Sequence, residues 1–189
     1  RPFCSHYFEL FKTNFPHNFT SVTVDGFYRA LNVCKPDFIR VEADEITYPL
    51  HVILRYEIEK GLFDDSMQVD DLPQIWNELM EKYLAIKPPT DTLGVLQDSH
   101  WSGGAFGYFP SYTLGAMYAA QQFNTVKKAY PNIYESIANG DLSQTKSWLK
   151  ENIWSNASIY STDELMTKAT GETLNPKYFK AHLENRYLF

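Results

Sequence analysis

Asp70-Asp71-Leu72-Pro73-Gln74-Ile75-Trp76-Asn77-Glu78-Leu79-Met80-Glu81-Lys82-Tyr83-Leu84-Ala85 reads as one amphipathic helix. Asp70 or Asp71 supplies a capping carboxylate. Pro73 falls in the first turn, where a missing N–H costs nothing. Ile75, Trp76, Leu79 and Tyr83 recur at three- and four-residue spacing and predict the buried stripe. Pro88-Pro89 then breaks the chain.

The same pattern repeats outward in both directions. Toward the N-terminus, 6–15 carries Tyr7, Phe8, Leu10, Phe11 and Phe15 at helical spacing and stops before Pro16. Thr23 caps a helix to about Asn32 with Phe27, Tyr28 and Leu31 inward, and Pro36 closes that segment. A long helix is expected over 41–60, kinked or split at Pro49, with Gly61 as its C′ residue. Toward the C-terminus, helices are expected over 108–130 and from an Asp141-Leu142-Ser143-Gln144 capping box to about Trp154. Two more follow, one from Thr162 to Gly171 and one from Asn175-Pro176 to about Arg186. Ile46–Tyr48 and His51–Tyr56 contain β-formers, but in helical context, and no alternating run is long enough for a sheet. There is no internal repeat and no low-complexity linker. The expected fold is all-α, a compact multi-helix body over residues 1–189 as a single domain.

An apolar fraction of 44% is enough for a packed core, so disorder is excluded. The net charge of -6 and the lack of a basic patch argue against nucleic acid as a partner. No apolar run is long enough to cross a bilayer, so no membrane partner is expected. Cys4 and Cys34 are too few for a disulfide framework and fit a reducing, cytoplasmic location. The chain opens on Arg1-Pro2-Phe3-Cys4, without an initiating Met or a signal peptide, and reads as mid-sequence.

The chemistry concentrates in Gly94-Val95-Leu96-Gln97-Asp98-Ser99-His100-Trp101-Ser102-Gly103-Gly104-Ala105-Phe106-Gly107-Tyr108-Phe109-Pro110-Ser111-Tyr112. This is a polar, glycine-bearing loop mounted on a helix, the kind of place where function sits. His100 is either a donor to a carbonyl or oxyanion, or a stacked loop histidine. Tyr108 and Tyr112, four apart, are either oxyanion-stabilising phenols or core aromatics. Gln97 and Asp98 either orient His100 or cap the loop. A second cluster, Ile39-Arg40-Val41-Glu42-Ala43-Asp44, places Arg40 and Asp44 on one helix face. A guanidinium held there presents a planar fork to a carboxylate, unless the pair is an ordinary surface ion pair. His51 and Arg55 share a helix face, and a histidine so placed reads as a packed structural residue.

No His-Glu-x-x-His, Glu-x-x-His or Cys-x-x-Cys motif occurs, and no phosphate-cradling glycine motif. The histidines at 6, 17, 51, 100 and 182 are scattered, so no metal ligands are assigned in this chain. What is left resembles half an active site: groups that stabilise charge, without a metal or a nucleophile–base pair.

The two clusters also resemble a known family. Residues 39–44 fit the Ile-Arg-x-x-Ala-Asp motif, and residues 94–101 the Gly-x-x-Gln-Asp-x-His-Trp motif, of the carboxypeptidase Taq type of thermostable carboxypeptidases. Thr47-Tyr48, His51–Glu57, Ser102-Gly103-Gly104 and Gly107–Pro110 extend the likeness over nearly the whole chain. The resemblance implies the C-terminal portion of a zinc-type, usually homodimeric metallocarboxypeptidase. It would form one side of a zincin-like, helical cleft. The metal, zinc or another divalent ion such as cobalt, would be bound by His-Glu-x-x-His and a further Glu upstream, where zinc polarises the scissile carbonyl and the motif's Glu activates water. The substrates implied are peptides with a free C-terminus. On the matched positions, Arg40 would hold the terminal carboxylate with Asp44 orienting it. His100 would contact the substrate backbone or oxyanion. Tyr108, or failing it Tyr112, would stabilise the tetrahedral intermediate, and Gln97 and Asp98 would support from behind. The glycine loop would close over substrate. This chain alone would be inactive. The competing readings are a non-catalytic helical interaction domain, a subunit that associates with a metal-bearing partner, and a small-molecule-binding helical protein.

Overall fold

A computed structural model describes residues 1–188, and helices are the only regular structure among them. In chain order they are α1 (Pro2–Asn14), α2 (Pro16–Phe19), α3 (Val24–Leu31), α4 (Tyr48–Phe63), α5 (Leu72–Leu84), α6 (Pro110–Ala129), α7 (Ile133–Ala138), α8 (Ser143–Asn152), α9 (Thr162–Thr170) and α10 (Lys177–Tyr187). Short 3-10 turns lie at Arg40–Glu42, Val69–Asp71 and Trp154–Asn156. The chain divides into two compact units, Val33–Ala116 and the two flanking segments, 1–32 with 117 onward.

In the central unit α4 and α5 pair around Leu54, Ile58, Leu72, Trp76, Met80 and Leu84. Trp76 is buried as expected, and with it Leu72, Met80 and Leu84 form the buried stripe of α5. Ile75, Leu79 and Tyr83 pack around them, half-buried. Burying six such side chains supplies the main driving force here, at about 1.5–3 kcal/mol each.

The expected helix over 41–60 is shorter at its start. The carboxylate of Asp44 accepts from the backbone N–H groups of Lys35 (2.9 Å), Ile46 (2.9 Å) and Thr47 (3.0 Å) and from the Thr47 hydroxyl (2.9 Å). Such side-chain-to-backbone bonds compete with the helical ladder. The chain therefore turns at Asp44, and α4 begins at Tyr48 with Pro49 in its first turn, where proline is tolerated, so nothing is kinked. Arg40 and Asp44 consequently do not share a helix face. Gly61 does not end the helix, which runs on to Phe63. A Cβ at Gly61 would lie 2.5 Å from the Met67 sulfur, so its glycine allows the following turn to fold back onto α4.

In the flanking unit Phe8, Phe11, Phe19 and Phe27 join α1, α2 and α3 in one aromatic cluster. Val126, Ile133 and Trp148 form a second core. Thr23 caps α3 as expected, its hydroxyl accepting from Gly26 N–H at 3.0 Å, but Leu31 faces solvent. The reciprocal capping box is at Ser161 and Glu164, one residue before the expected Thr162. At α8 Asp141 accepts from Ser143 N–H (2.8 Å), but Gln144 bonds the side chains of Asn132 and Ser136 and closes no box. No sequence period marks α7, because Pro131 and Gly140 bracket too few residues for one.

Candidate functional site

The site residues lie in the central unit and are assembled from the Arg40 turn, α4, the 94–107 loop and the start of α6. Gln97 joins the first of these to the third. Its Oε1 accepts from Arg40 N–H (2.8 Å), and its Nε2 donates to the carbonyls of Phe38, Leu93 and Gly94 (3.0–3.1 Å). Gln97 is thus spent on holding backbone, and this fixes where the Arg40 side chain starts.

Asp98, next along, is shared by two guanidinium groups. Its Oδ1 accepts from Arg40 Nε (3.2 Å) and Nη2 (2.7 Å); its Oδ2 accepts from Arg55 Nε (2.7 Å) and lies in ion-pair contact, 2.5 Å, with Arg55 Nη2. Arg40 also donates to the Tyr48 hydroxyl at 2.6 Å, and Arg55 to the His51 carbonyl at 2.7 Å. Aromatic faces complete the enclosure. The Arg40 guanidinium lies 4.9 Å from the Tyr112 ring and 5.4 Å from Phe109, and Arg55 lies 4.5 Å from Trp76 and 5.2 Å from Phe109. These cation–π contacts replace part of the lost hydration. Arg40 is only 4% exposed and Arg55 fully buried.

The electrostatics follow from this sharing. Burial works against the Asp98 carboxylate, but the hydrogen bonds and charges of Arg40 and Arg55 outweigh it and hold its pKa below the usual range. Burial also works against the Arg40 guanidinium, and the Asp98 bond and charge more than compensate, so its pKa is raised. Arg55, the deeper of the two, is pushed down by burial to about 10. His51 is pushed down to about 4, by burial first and then by the neighbouring Arg55. It is therefore neutral at neutral pH. Two guanidinium groups, one carboxylate and a neutral imidazole leave the cluster with one surplus positive charge.

The expected partnership of Arg40 with Asp44 is replaced by that with Asp98. The oxygens of Asp44 are occupied in its own turn, and these bonds keep its pKa low against the opposing effect of burial. Asp98, expected to orient His100 or cap its loop, is instead the counter-ion of both arginines; His100 Nδ1 is 3.9 Å from it, beyond hydrogen-bonding reach.

His100 bonds Tyr112 through Nε2 at 2.9 Å, and its ring packs on Phe109 with centroids 4.3 Å apart. Tyr108 precedes α6 rather than starting it, yet its ring still meets Tyr112 (5.4 Å) and His100 (5.9 Å). Tyr112 is committed to His100, whereas Tyr108 is half-exposed. His100, Tyr108, Tyr112, Arg40 and Asp98 thus come together, Gln97 supports them, and Asp44 stands in the adjoining turn.

Sequence spacing alone does not mark Tyr48, Arg55 and Glu59 as site residues. His51, Arg55 and Glu59 follow at four-residue steps on a helix otherwise buried through Val52, Leu54 and Ile58. Polar residues recurring on the apolar face of a helix were the available signal. Among the described residues no group of three or more His, Cys, Asp or Glu side chains converges as metal ligands would. The residues present do not fit a catalytic metal.

The family described as Carboxypeptidase Taq (M32) metallopeptidase matches residues 1–187. Over 185 residues the chain is 44% identical to Carboxypeptidase 1 of Bacillus subtilis (strain 168), covering 98% of this chain and 37% of that protein. It is 38% identical over 181 residues to Thermostable carboxypeptidase 1 of Pyrococcus furiosus, covering 96% and 36%. Among solved structures, Trypanosoma cruzi metallocarboxypeptidase 1 superposes with a TM-score of 0.93 at 42% identity, over 98% of this chain and 39% of that one. The M32 carboxypeptidase from Deinococcus radiodurans R1 superposes with a TM-score of 0.95 at 34% identity, over 99% and 38%. The chain therefore spans little more than a third of the length of the relatives it matches.

Proposed function

Because this chain belongs to the carboxypeptidase Taq (M32) metallopeptidase family, we propose that it is the C-terminal, substrate-positioning part of a metal-dependent carboxypeptidase. The observation that carries this reading is the single carboxylate of Asp98 shared by Arg40 and Arg55, which leaves one positive charge uncompensated in a nearly dry site. A buried surplus of this kind is costly unless an anion completes it. A peptide's terminal carboxylate is such an anion. Arg40 is the guanidinium nearer the surface, and each of its Nη atoms has one N–H beyond those used for Asp98 and Tyr48. An internal peptide bond offers no such charge, so the clamp selects chain ends.

On the same reading His100 and Tyr112 act as one hydrogen-bonded unit facing the substrate backbone, and the half-exposed phenol of Tyr108 donates to the oxyanion as it forms. Asp98 holds Arg40 in register, and Asp44 fixes the turn from which Arg40 projects. The metal ligands lie in the remaining length of the family protein, so no step through the metal is derived from these residues. The substrates are peptides with a free C-terminus, and this part forms one wall of their cleft. The metal (zinc, or cobalt in its place) and a homodimer rest on family likeness alone. A cytoplasmic location is supported by the two free cysteines.

The test is steady-state hydrolysis of a blocked dipeptide and its C-terminal amide by the full natural protein. The free acid is cleaved and the amide is not. Arg40→Lys keeps the charge but loses the fork, and raises KM for the acid about tenfold to a hundredfold, the worth of a hydrogen bond to a charged group. Equal cleavage of acid and amide, or an unchanged KM in Arg40→Lys, overturns the clamp. The 189-residue chain by itself, with zinc or cobalt added, releases no C-terminal residue.

A further inference from the structure

Glu59 is a buried carboxylate, 4% exposed, with no cation paired to it among the described residues. It stands one turn beyond Arg55 on the same face of α4. Its two oxygens reach two points of the glycine loop. Oε1 accepts from the Trp101 indole N–H at 2.8 Å, and Oε2 accepts from the Gly107 backbone N–H at 3.1 Å. Between these points the loop is exposed and runs through left-handed backbone at Gly104 (φ 77°) and Gly107 (φ 74°). Its internal bonds, Gly104 N–H to Trp101 (3.0 Å) and Ala105 N–H to His100 (2.8 Å), shape the turn without fixing it to the helix.

We propose that Glu59 is a positioning residue that pins both roots of the Trp101–Gly107 loop to α4 and so sets the place of Tyr108 against His100 and Tyr112. This rests on the carboxypeptidase reading above and deepens it by assigning the residue that holds its oxyanion-facing phenol. Tyr108 follows Gly107 directly, so the direction of that one N–H governs where the phenol starts. The loop also carries Phe106, whose ring stacks on Trp101 and meets Phe63 of α4 edge-on, so the aromatic contacts follow the same anchoring. With both roots pinned, any movement of the loop is confined to 102–106, and Tyr108 stays outside the moving part. One helix thus does two jobs four residues apart: Arg55 fixes the counter-ion of the clamp, and Glu59 fixes the phenol.

A carboxylate suits two converging N–H donors because both its oxygens accept. Glutamine has the same shape but one acceptor, so Glu59→Gln turns an NH2 group toward one of the two donors. The experiment compares amide hydrogen exchange and steady-state kinetics of the full natural protein with Glu59→Gln, Trp101→Phe and the double variant. In Glu59→Gln, exchange over 102–112 rises about tenfold or more while α4 and α5 keep their protection. Its kcat falls up to about a hundredfold, as for a displacement near 1 Å, with KM for the free acid nearly unchanged because Arg40 is untouched. Trp101→Phe removes one arm only and loses less, and it adds little in the Glu59→Gln background. Unchanged exchange over 102–112 overturns the proposal. So does a uniform rise that includes α4 and α5, and so does local release with unaltered kcat. Failure of the carboxypeptidase reading shows separately, as absent turnover in the unmodified protein.

Discussion

The central unit buries Arg40, His51, Arg55 and Glu59 beside its aliphatic core. The flanking unit, among its described residues, buries one comparable polar side chain, Gln121, amid aromatic and aliphatic neighbours. Gln121 is neutral and bonds its surroundings fully, to Thr170, the carbonyls of Glu172 and Thr173, and Asn175 N–H. It staples the turn before α10, and nothing about it invites a ligand. In the central unit the charges are shared unevenly: Arg40 and Arg55 divide the single carboxylate of Asp98, while the carboxylate of Glu59 bonds Trp101 and Gly107 and pairs with neither arginine. Burying charge is seldom the cheapest route to stability, since an apolar replacement of similar shape often does as well. A cluster with one charge left over is better understood as prepared for a ligand than as a structural prop.

The largest expected effect tests this contrast directly. Asp98→Asn leaves two buried guanidinium groups without their carboxylate and lowers stability by about 3–5 kcal/mol, read from urea unfolding. A loss no greater than that of a neutral staple would remove the distinction between the units. The next concerns pH. The folded pKa of His51, about 4, is below the ordinary 6.5, so between these values the unfolded chain takes up a proton that the folded chain refuses. Stability therefore falls as pH drops from about 6.5 toward about 4, by roughly 3 kcal/mol at ~1.4 kcal/mol per pKa unit. Arg55, Arg40 and Asp98 all face this imidazole, and the depressed pKa of Asp98 places its own contribution at still lower pH. His51→Leu removes the slope in that window, and its survival would place the titrating group elsewhere. The smallest effect belongs to the flanking unit. Gln121→Leu strands Asn175 N–H and costs about 1–3 kcal/mol, with no change in pH dependence.

Much of the fold is legible in the sequence. Helix-forming periodicity, the Thr23 cap and the prolines outlined most of the elements, and the loop chemistry pointed to His100, Tyr108 and Tyr112. The partners of Arg40 were not legible. Four-residue spacing suggested Asp44, but spacing has meaning only if the segment is helical, and the side chain of Asp44 is what stops the helix from starting there. The true counter-ion is 58 residues away, which no local pattern reports. Glu59 was hidden for a related reason. On a helix it reads as a surface charge, and only the arrival of Trp101 and Gly107 makes it an interior one.

That distance bears on the order of folding. Helices α4 and α5 are neighbours in sequence and can pair by closing a short loop. The clamp, in contrast, needs residues 40, 55 and 98 to meet, through separations of 43 and 58 residues. The entropy of closing such loops must be met before the ion pairs repay it. A chain can therefore pass through a stage in which its α4–α5 hairpin is native while its arginines still face water. Asp98 is then among the last residues to gain its native contacts, and its removal mainly speeds unfolding rather than slowing folding.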